Sequence, residues 1–383
     1  MYISYLNLTN FRNYHNLSLD MPAGLLTFFG NNAQGKSNLL EAVYLLSIAK
    51  AYRATSDQEA ISKTAHEDQG HSQVLGLVHR KQDKVRIMVD MRLERLVAEG
   101  MQPRLRKDLR VNGIHVPASG LIGVVNAVLF DAEDIQLISG PPATRRRYLD
   151  ILICQMDTPY LRALQKYQRV VYQRNHLLRL IRDHRAQPKE LDFWNETIVK
   201  EGSYITLMRH RAVEELRKIA LEIHRDLTES AEGLNMDYLP SINLESDDME
   251  QIQESFSHLL KNGQDKELAL GSSQWGPHRD DLRLILGGMD AADYASRGQT
   301  RTLALTLKLA EGALLERQSG ESPILLLDDV LSELDTYRRR RLLEYISNSE
   351  QAIVSTTDLN RIEEPFLSLS NKFLVQNGGI NAI

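Results

Sequence analysis

The segment Gly30-Asn31-Asn32-Ala33-Gln34-Gly35-Lys36-Ser37 leaves this chain little freedom in how it can fold. It lies between an apolar run (Leu25, Leu26, Phe28, Phe29) and a helical pattern (Leu39, Leu40, Val43, Leu46), and reads as a strand, a phosphate loop and a helix. Gly30 and Gly35 permit a tight turn that aims successive backbone N–H groups, and the positive end of the helix, at an anion. Lys36 then reaches the β- and γ-phosphates and Ser37 ligates Mg²⁺, so ATP and Mg²⁺ are the expected cofactors. The expected contact set runs from Gly30 through Asn38. A glycine-rich turn that merely caps a helix is the plainer alternative, and the flanking strand and helix weigh against it.

At 383 residues and 42% hydrophobic content, the chain can bury a large α/β core and is expected to form two lobes. Its formal charge of −5 argues against coating by nucleic acid, yet the charge is uneven. Residues 144–185 carry ten bases (Arg145, Arg146, Arg147, Arg162, Lys166, Arg169, Arg174, Arg179, Arg182, Arg185) against three acids (Asp150, Asp157, Asp183), an excess that attracts a polyanion. The lone Cys154, in the apolar run Ile151-Leu152-Ile153, cannot form an intramolecular disulfide and is expected in the core, which fits a reducing cytosol. No stretch approaches the ~18 apolar residues of a membrane span, and Met1-Tyr2-Ile3-Ser4 lacks a basic region followed by an apolar one; the expectation is a cytoplasmic protein without a membrane partner.

Two alternating segments, Tyr2 to Leu8 and Leu17 to Met21, predict strands before the one that feeds the loop. Between them, Arg12 and Asn13 of Asn10-Phe11-Arg12-Asn13-Tyr14 either touch the nucleotide or form a turn with a buried Phe and an exposed Arg. Strand patterns at Val74–His79, Val85–Leu93 and Leu105–Val111 predict an antiparallel layer, and Val124–Phe130 a further buried strand. From Thr144 to Ser230 the period is helical and Pro188 breaks it, predicting two long antiparallel helices in a short coiled-coil arm; two core helices of a compact lobe are the alternative. Met236–Leu244 and Glu267–Leu270 read as strands around a helix at Met249–Leu260. The expected divisions are an ATPase lobe at 1–143, a helical lobe with the arm at 144–290, and a return to the ATPase core at 291–383.

The C-terminal third selects the class. Ser296-Arg297-Gly298-Gln299 before a long helix resembles the Ser-Gly-Gly-Gln signature of ABC-type ATPases, with Arg297 in place of the first glycine. That likeness implies a second anion site, which caps the γ-phosphate held by a partner's loop. Ile324 to Asp329 matches the Walker B pattern: a buried strand presenting Asp328 to Mg²⁺ and Asp329, where glutamate is usual, as general base for water. The shorter Asp329 predicts slow hydrolysis. Ser332-Glu333-Leu334-Asp335 resembles the D-loop, and Thr356 or Thr357 stands where ABC proteins carry a switch histidine.

Three strings narrow the resemblance to the RecF family of SMC-related ATPases: Asn10 to Tyr14 with Gln34 to Glu41, Gly276-Pro277-His278-Arg279-Asp280-Asp281-Leu282, and Asp328 to Asp335. A fourth, Glu133-Asp134 through Gly140-Pro141-Pro142 to Arg145-Arg146-Arg147-Tyr148-Leu149-Asp150, fits except that Ala132 replaces a usual proline. The resemblance implies an α/β ABC-type head with a mixed sheet around the phosphate loop, an antiparallel β layer and a helical second lobe. It also implies a weak DNA-dependent ATPase of DNA damage repair and replication. Such a protein dimerises with ATP on double-stranded DNA or ss/dsDNA junctions and works with RecO and RecR to load RecA. On that reading Arg174, Arg179 and Arg182 are the candidate DNA contacts, the alternative being pairing with acids such as Glu190, Glu196, Glu201, Glu214 and Glu215. The rival class is a transporter ATPase subunit.

Overall fold

The structure, a computed structural model, describes every residue except 55, 64, 66–69, 95–103, 230–231 and 245. The chain divides into two compact units, residues 1–134 with 301–383 and residues 135–300. The units divide at 134/135 and 300/301, beside the expected 143/144 and 290/291. The short helix Gln136–Ser139 and the helical turn Ala291–Tyr294 pack on each other, which draws the signature turn into the second unit.

Unit 1 holds two six-stranded sheets. In the first, the order is β2 (Tyr14–Asp20), β1 (Tyr2–Phe11), β4 (His71–His79), β5 (Lys84–Glu94), β6 (Arg104–Val111), β7 (Ile114–His115), antiparallel throughout. The second runs β15 (Gly379–Ala382), β14 (Asn371–Gln376), β3 (Gly24–Phe29), β13 (Gln351–Thr356), β12 (Ile324–Asp328), β8 (Ala127–Phe130), parallel apart from the edge strand β15. Strands β3, β13, β12 and β8 are almost wholly buried, which is why they read as unbroken apolar runs. The helix α1 (Lys36–Ile48) touches strands of both sheets. It is buried on nearly every side from Leu39 to Ile48, so its apolar residues surround the axis instead of forming one stripe.

Unit 2 contains α2 (Pro142–Met156), α3 (Thr158–Arg182), α4 (Leu191–Leu227), α5 (Met249–Asn262), α6 (Gln264–Leu270) and a three-stranded sheet β11 (Met289–Asp290), β10 (Asp281–Leu286), β9 (Leu234–Leu239). The helical stretch breaks at two places, not one. Asp157 caps α3 by accepting from the Tyr160 N–H, with Pro159 in the first turn, and Pro188 opens the turn before α4. Ser230, the expected end of the stretch, lies outside the described residues.

Helices α3 and α4 pack antiparallel: Lys166 pairs with Glu201 at 2.7 Å and Arg174 donates to Asn195 at 2.8 Å. The far end of the pair is enclosed. Leu177, Leu178, Ile181 and Leu191 form a core cluster against which Ala186, Trp194 and Leu268 of α6 pack. Glu267–Leu270 is therefore helical, a correction to the strand reading, because Gly263 and Gly271 bracket a short apolar run whose length cannot discriminate the two states. Strand β9 stops at Leu239 because Pro240 has no N–H to continue the ladder. The helix α7 (Arg297–Ser319) follows the signature, and α8 (Thr336–Ser347) follows the D-loop.

Candidate nucleotide site

The phosphate loop leaves β3 and enters α1 through two glycines that no other residue replaces without strain. Gly30 has φ 150, and a Cβ there would lie 2.4 Å from the Val375 carbonyl oxygen; Gly35 has φ 114, and a Cβ would strike the Asn13 amide at 2.5 Å. The loop is braced from outside. The Tyr14 hydroxyl donates to the Gly35 carbonyl (2.9 Å), the Asn13 amide donates to the Gln34 carbonyl (3.1 Å), and Asn38 donates back to Asn13 (2.8 Å). The Asn377 N–H donates to the Gln34 side chain at 2.7 Å. Asn31, Asn32 and Ala33 form the exposed tip.

Asn13, not Arg12, is the member of that pair which hydrogen-bonds the loop. Both nitrogens of one guanidinium edge of Arg12 bind the Glu41 carboxylate at 2.8 Å, and a third donates to the Glu59 carbonyl. Phe11 is fully buried. Arg12 is half-buried against Glu41, not exposed as the turn alternative requires, and it ties α1 to the segment before it.

Lys36 lies 7% exposed, and its ammonium donates to the Gly30 and Asn31 carbonyls at 2.7 and 2.8 Å. Burial lowers its pKa, while the charges of Asp329 and Asp328 work in the opposite direction. Those two carboxylates end β12. The Ser37 hydroxyl donates to Asp328 Oδ1 at 2.9 Å, joining the loop to the Walker B strand. Asp328 and Ser37 are hard oxygen donors side by side, the set with which Mg²⁺ is held when phosphates complete its shell.

Three residues around this pair escaped sequence reasoning, and a fourth, Asp134, entered it only as part of a family-like string. Ser355 stands opposite Asp328 in the parallel register of β13; its hydroxyl donates to Asp328 Oδ1 (2.6 Å) and accepts from the Asp329 N–H (3.0 Å). Arg53 binds Asp328 Oδ2 and also Asp131, the latter at 2.6 Å. Burial works against the charge of Arg53, yet the facing carboxylates of Asp328 and Asp131 prevail and raise its pKa. Asp131 follows β8, whose Phe130 pairs with Leu327, so the two parallel strands end in neighbouring aspartates. Asp134 accepts from the Asp131 N–H at 2.8 Å and fixes that turn; burial pushes its carboxyl up to about 7 against the opposing charge of Lys308. The available signals were two strands each ending in Asp and an isolated basic string at Lys50-Ala51-Tyr52-Arg53.

Asp329 adopts a left-handed backbone, φ 52, which aspartate tolerates better than most residues. The D-loop is tied to it: the Ser332 hydroxyl donates to the Asp329 carbonyl at 2.7 Å, and Asp335 caps α8 through the Arg338 N–H. Thr356 is fully buried and its hydroxyl donates to the Asp358 carbonyl, whereas Thr357 is exposed. Of the two switch candidates only Thr357 offers its side chain to solvent. In unit 2 the signature turn is a reciprocal helix cap. The Ser296 N–H donates to Gln299 Oε1 (2.8 Å), the Gln299 N–H donates to Ser296 Oγ (3.3 Å), and Gln299 is anchored on Glu232 (2.9 Å). Ser296, Arg297 and Gly298 are exposed at the start of α7.

The remaining family-like strings are structural. Arg145 grips both oxygens of Asp281 (2.8 and 2.9 Å), and Arg146 donates to the Asp280 carbonyl (2.8 Å). Arg209 binds Asp150 (2.8 Å) and the Pro277 carbonyl (2.6 Å). His278 hydrogen-bonds the Tyr167 hydroxyl at 2.7 Å, and burial lowers its pKa to about 4. Arg174 is a correction to the set of expected DNA contacts: it is fully buried and donates to Asn195, Ser273 and Glu267. Of the expected acids, Glu214 and Glu215 pair within their own helix with Arg217 and Lys218, whereas Glu201 reaches across to Lys166 of α3.

A parallel sheet with a phosphate loop after β3, Walker B acids after β12 and a capped signature turn opening α7 defines an ABC-type head. The family described as the RecF/RecN/SMC N terminal domain matches residues 2–378. The chain belongs to this family, in its RecF branch. The DNA replication and repair protein RecF of Chloroflexus aurantiacus is 36% identical over 393 residues, with 100% of both chains covered. That of Oceanobacillus iheyensis is 36% identical over 384 residues, again across 100% of both. A solved structure of the recombination mediator protein RecF-ATPrS superposes with a TM-score of 0.89 at 30% identity, covering 100% of this chain and 98% of that one. The Smc head domain of Pyrococcus furiosus, at 17% identity and a TM-score of 0.53, shares the fold.

Proposed function

We propose that this protein is a weak, DNA-dependent ATPase that dimerises on DNA when it binds ATP and acts in recombinational repair and replication-fork maintenance. The observation that carries the reading is the hydrogen bond from Ser37 to Asp328, which brings the phosphate loop and the Walker B carboxylate to one point beside Lys36 and Asp329. Lys36 and the loop N–H groups bind the phosphates. Ser37 and Asp328 would hold Mg²⁺, which would supply charge neutralisation to the bound phosphates. Asp329 takes a proton from the attacking water, and its short side chain, set on a constrained backbone, keeps that step slow. The exposed Ser296–Gly298 turn offers the Ser296 hydroxyl and the Gly298 N–H to the γ-phosphate bound by a second copy, and Ser332, Asp335 and Thr357 line the contact between copies.

Relatives named DNA replication and repair protein RecF, and solved structures placed in the RecFOR pathway, support assigning double-stranded DNA or ss/dsDNA junctions as the partner. The RecFOR pathway of those structures supports RecO and RecR as fellow members of the pathway, and loading of RecA is proposed with them on the family resemblance. The transporter reading loses ground because relatives that match this chain over its full length are named DNA replication and repair protein RecF. Sedimentation with ATP, with DNA and with both is the test. A dimer that forms only with ATP and persists on DNA fits the proposal; a monomer under all conditions, or preference for liposomes over DNA cellulose, refutes it.

A further inference from the structure

One face of α3 carries basic and aromatic side chains that the protein itself does not use. Arg162, Arg169, Tyr172, His176 and Arg179 are all exposed, and Tyr172 is 69% so. At about 100° per residue these positions fall within an arc of about 100° and run along about 25 Å of helix. The opposite face holds the buried Tyr167, Val170, Arg174, Leu177 and Leu178, so the stripe points away from the unit's core.

Its arginines differ from others in the chain. Among the described residues, no carboxylate lies within ion-pair distance of Arg162, Arg169 or Arg179, whereas Arg145, Arg174 and Arg209 are each engaged by an acid. The basic run at the start of α8 is likewise occupied: Arg338 by Asp335, Arg340 by Glu363, Arg341 by Glu344, and Arg339 by the Leu331 and Leu334 carbonyls. Arg179 is also positioned, since its stem lies over Gly271, where an added Cβ would sit 2.9 Å from Arg179 Cγ.

An unpaired cationic stripe fits a polyanion. The aromatic ring in its middle selects the kind. A duplex keeps its base faces stacked inside, so a protruding tyrosine has nothing to stack on, whereas a single strand offers a bare base face to it. We propose that this face of α3 is a track for single-stranded nucleic acid, with Tyr172 stacking on an unpaired base and Arg169 and Arg179 holding the flanking phosphates. In a protein that also binds duplex, such a track recognises the single-stranded side of a junction; the inference deepens the DNA-binding reading and rests on it.

The test measures fluorescence anisotropy of the full-length protein with a labelled 25-nucleotide oligo-dT and with a 25-base-pair duplex, each with and without ATP. Tyr172→Ala is expected to weaken oligo-dT binding about 5- to 150-fold and leave the duplex untouched, while Tyr172→Phe keeps most of the affinity. Replacing Arg169 and Arg179 with Glu is expected to weaken oligo-dT binding and flatten its salt dependence. Unchanged oligo-dT affinity in Tyr172→Ala overturns the inference and leaves the stripe to a protein partner. An equal loss on the duplex, or a Tyr172→Phe loss as large as that of alanine, also overturns it. A parent protein that binds duplex but no oligo-dT sinks this inference alone; one that binds neither sinks the proposed function with it.

Discussion

Arg53 and Asp328 form an ion pair in the nucleotide site, and Asp131 binds the same guanidinium through Nε and Nη2. One oxygen of the Walker B carboxylate faces Ser37 and Ser355, and the other faces Arg53. Any cation that binds Asp328 therefore competes with a guanidinium already in place. Arg53→Ala is expected to lower the MgCl₂ concentration needed for half-maximal binding of a fluorescent ATP analogue by about 10- to 150-fold, the ~1.5–3 kcal/mol of one charged hydrogen bond. An unchanged or higher requirement would show that Arg53 assists the metal instead of opposing it.

Lys36→Ala removes the ammonium that sits between the loop carbonyls and the two aspartates. ATP affinity is expected to fall about 10- to 150-fold, the worth of one charged hydrogen bond, and ATP-dependent dimerisation with it. Sedimentation of this variant in ATP that matches the parent would refute the role.

Asp329→Asn separates binding from chemistry. Asparagine accepts the left-handed backbone at φ 52 as readily as aspartate does, so the loop geometry is preserved while the base is lost. Hydrolysis is expected to drop about 10²- to 10⁴-fold, with ATP-bound dimer accumulating on DNA. Phosphate release at the parental rate would assign the base elsewhere.

Arg174 answers to stability, not to DNA. Arg174→Met leaves the fully buried Glu267 without its guanidinium, at an expected cost of about 3–5 kcal/mol, while Arg174→Met with Glu267→Met recovers most of it. Both tryptophans, Trp194 and Trp275, lie in unit 2, so urea unfolding followed by tryptophan fluorescence reads the change directly. A single variant as stable as the parent would contradict the buried-pair account.

His278 makes unit 2 sensitive to acid. Its folded pKa of about 4 lies below the ordinary 6.5, so between those values the unfolded chain binds a proton that the folded chain refuses. The sign follows: this contribution is intact above about pH 6.5 and is lost progressively as pH falls towards 4. His278→Gln is expected to flatten the decline of the urea midpoint across that window. A decline of equal slope in the variant would assign it to other groups.

The sequence by itself determined the nucleotide machinery, because each part depends on local chemistry. Glycines at φ 150 and 114 admit no substitute, a buried parallel strand must be apolar until it ends in its carboxylates, and Ser296 with Gln299 writes a helix cap into four residues. Tertiary structure decided what depends on partners distant in sequence. Arg174 and Arg179 are indistinguishable as letters five positions apart on one helix, yet one meets Glu267 in the core and the other faces solvent. Glu267–Leu270 became a helix because α3 and α4 offered it a buried surface, and a four-residue apolar pattern carries no period of its own. Arg53 and Ser355 joined the site only when β8, β12 and β13 aligned their ends. Register between parallel strands brings Asp131, Asp328 and Ser355 to one level, and no spacing along the chain encodes that meeting.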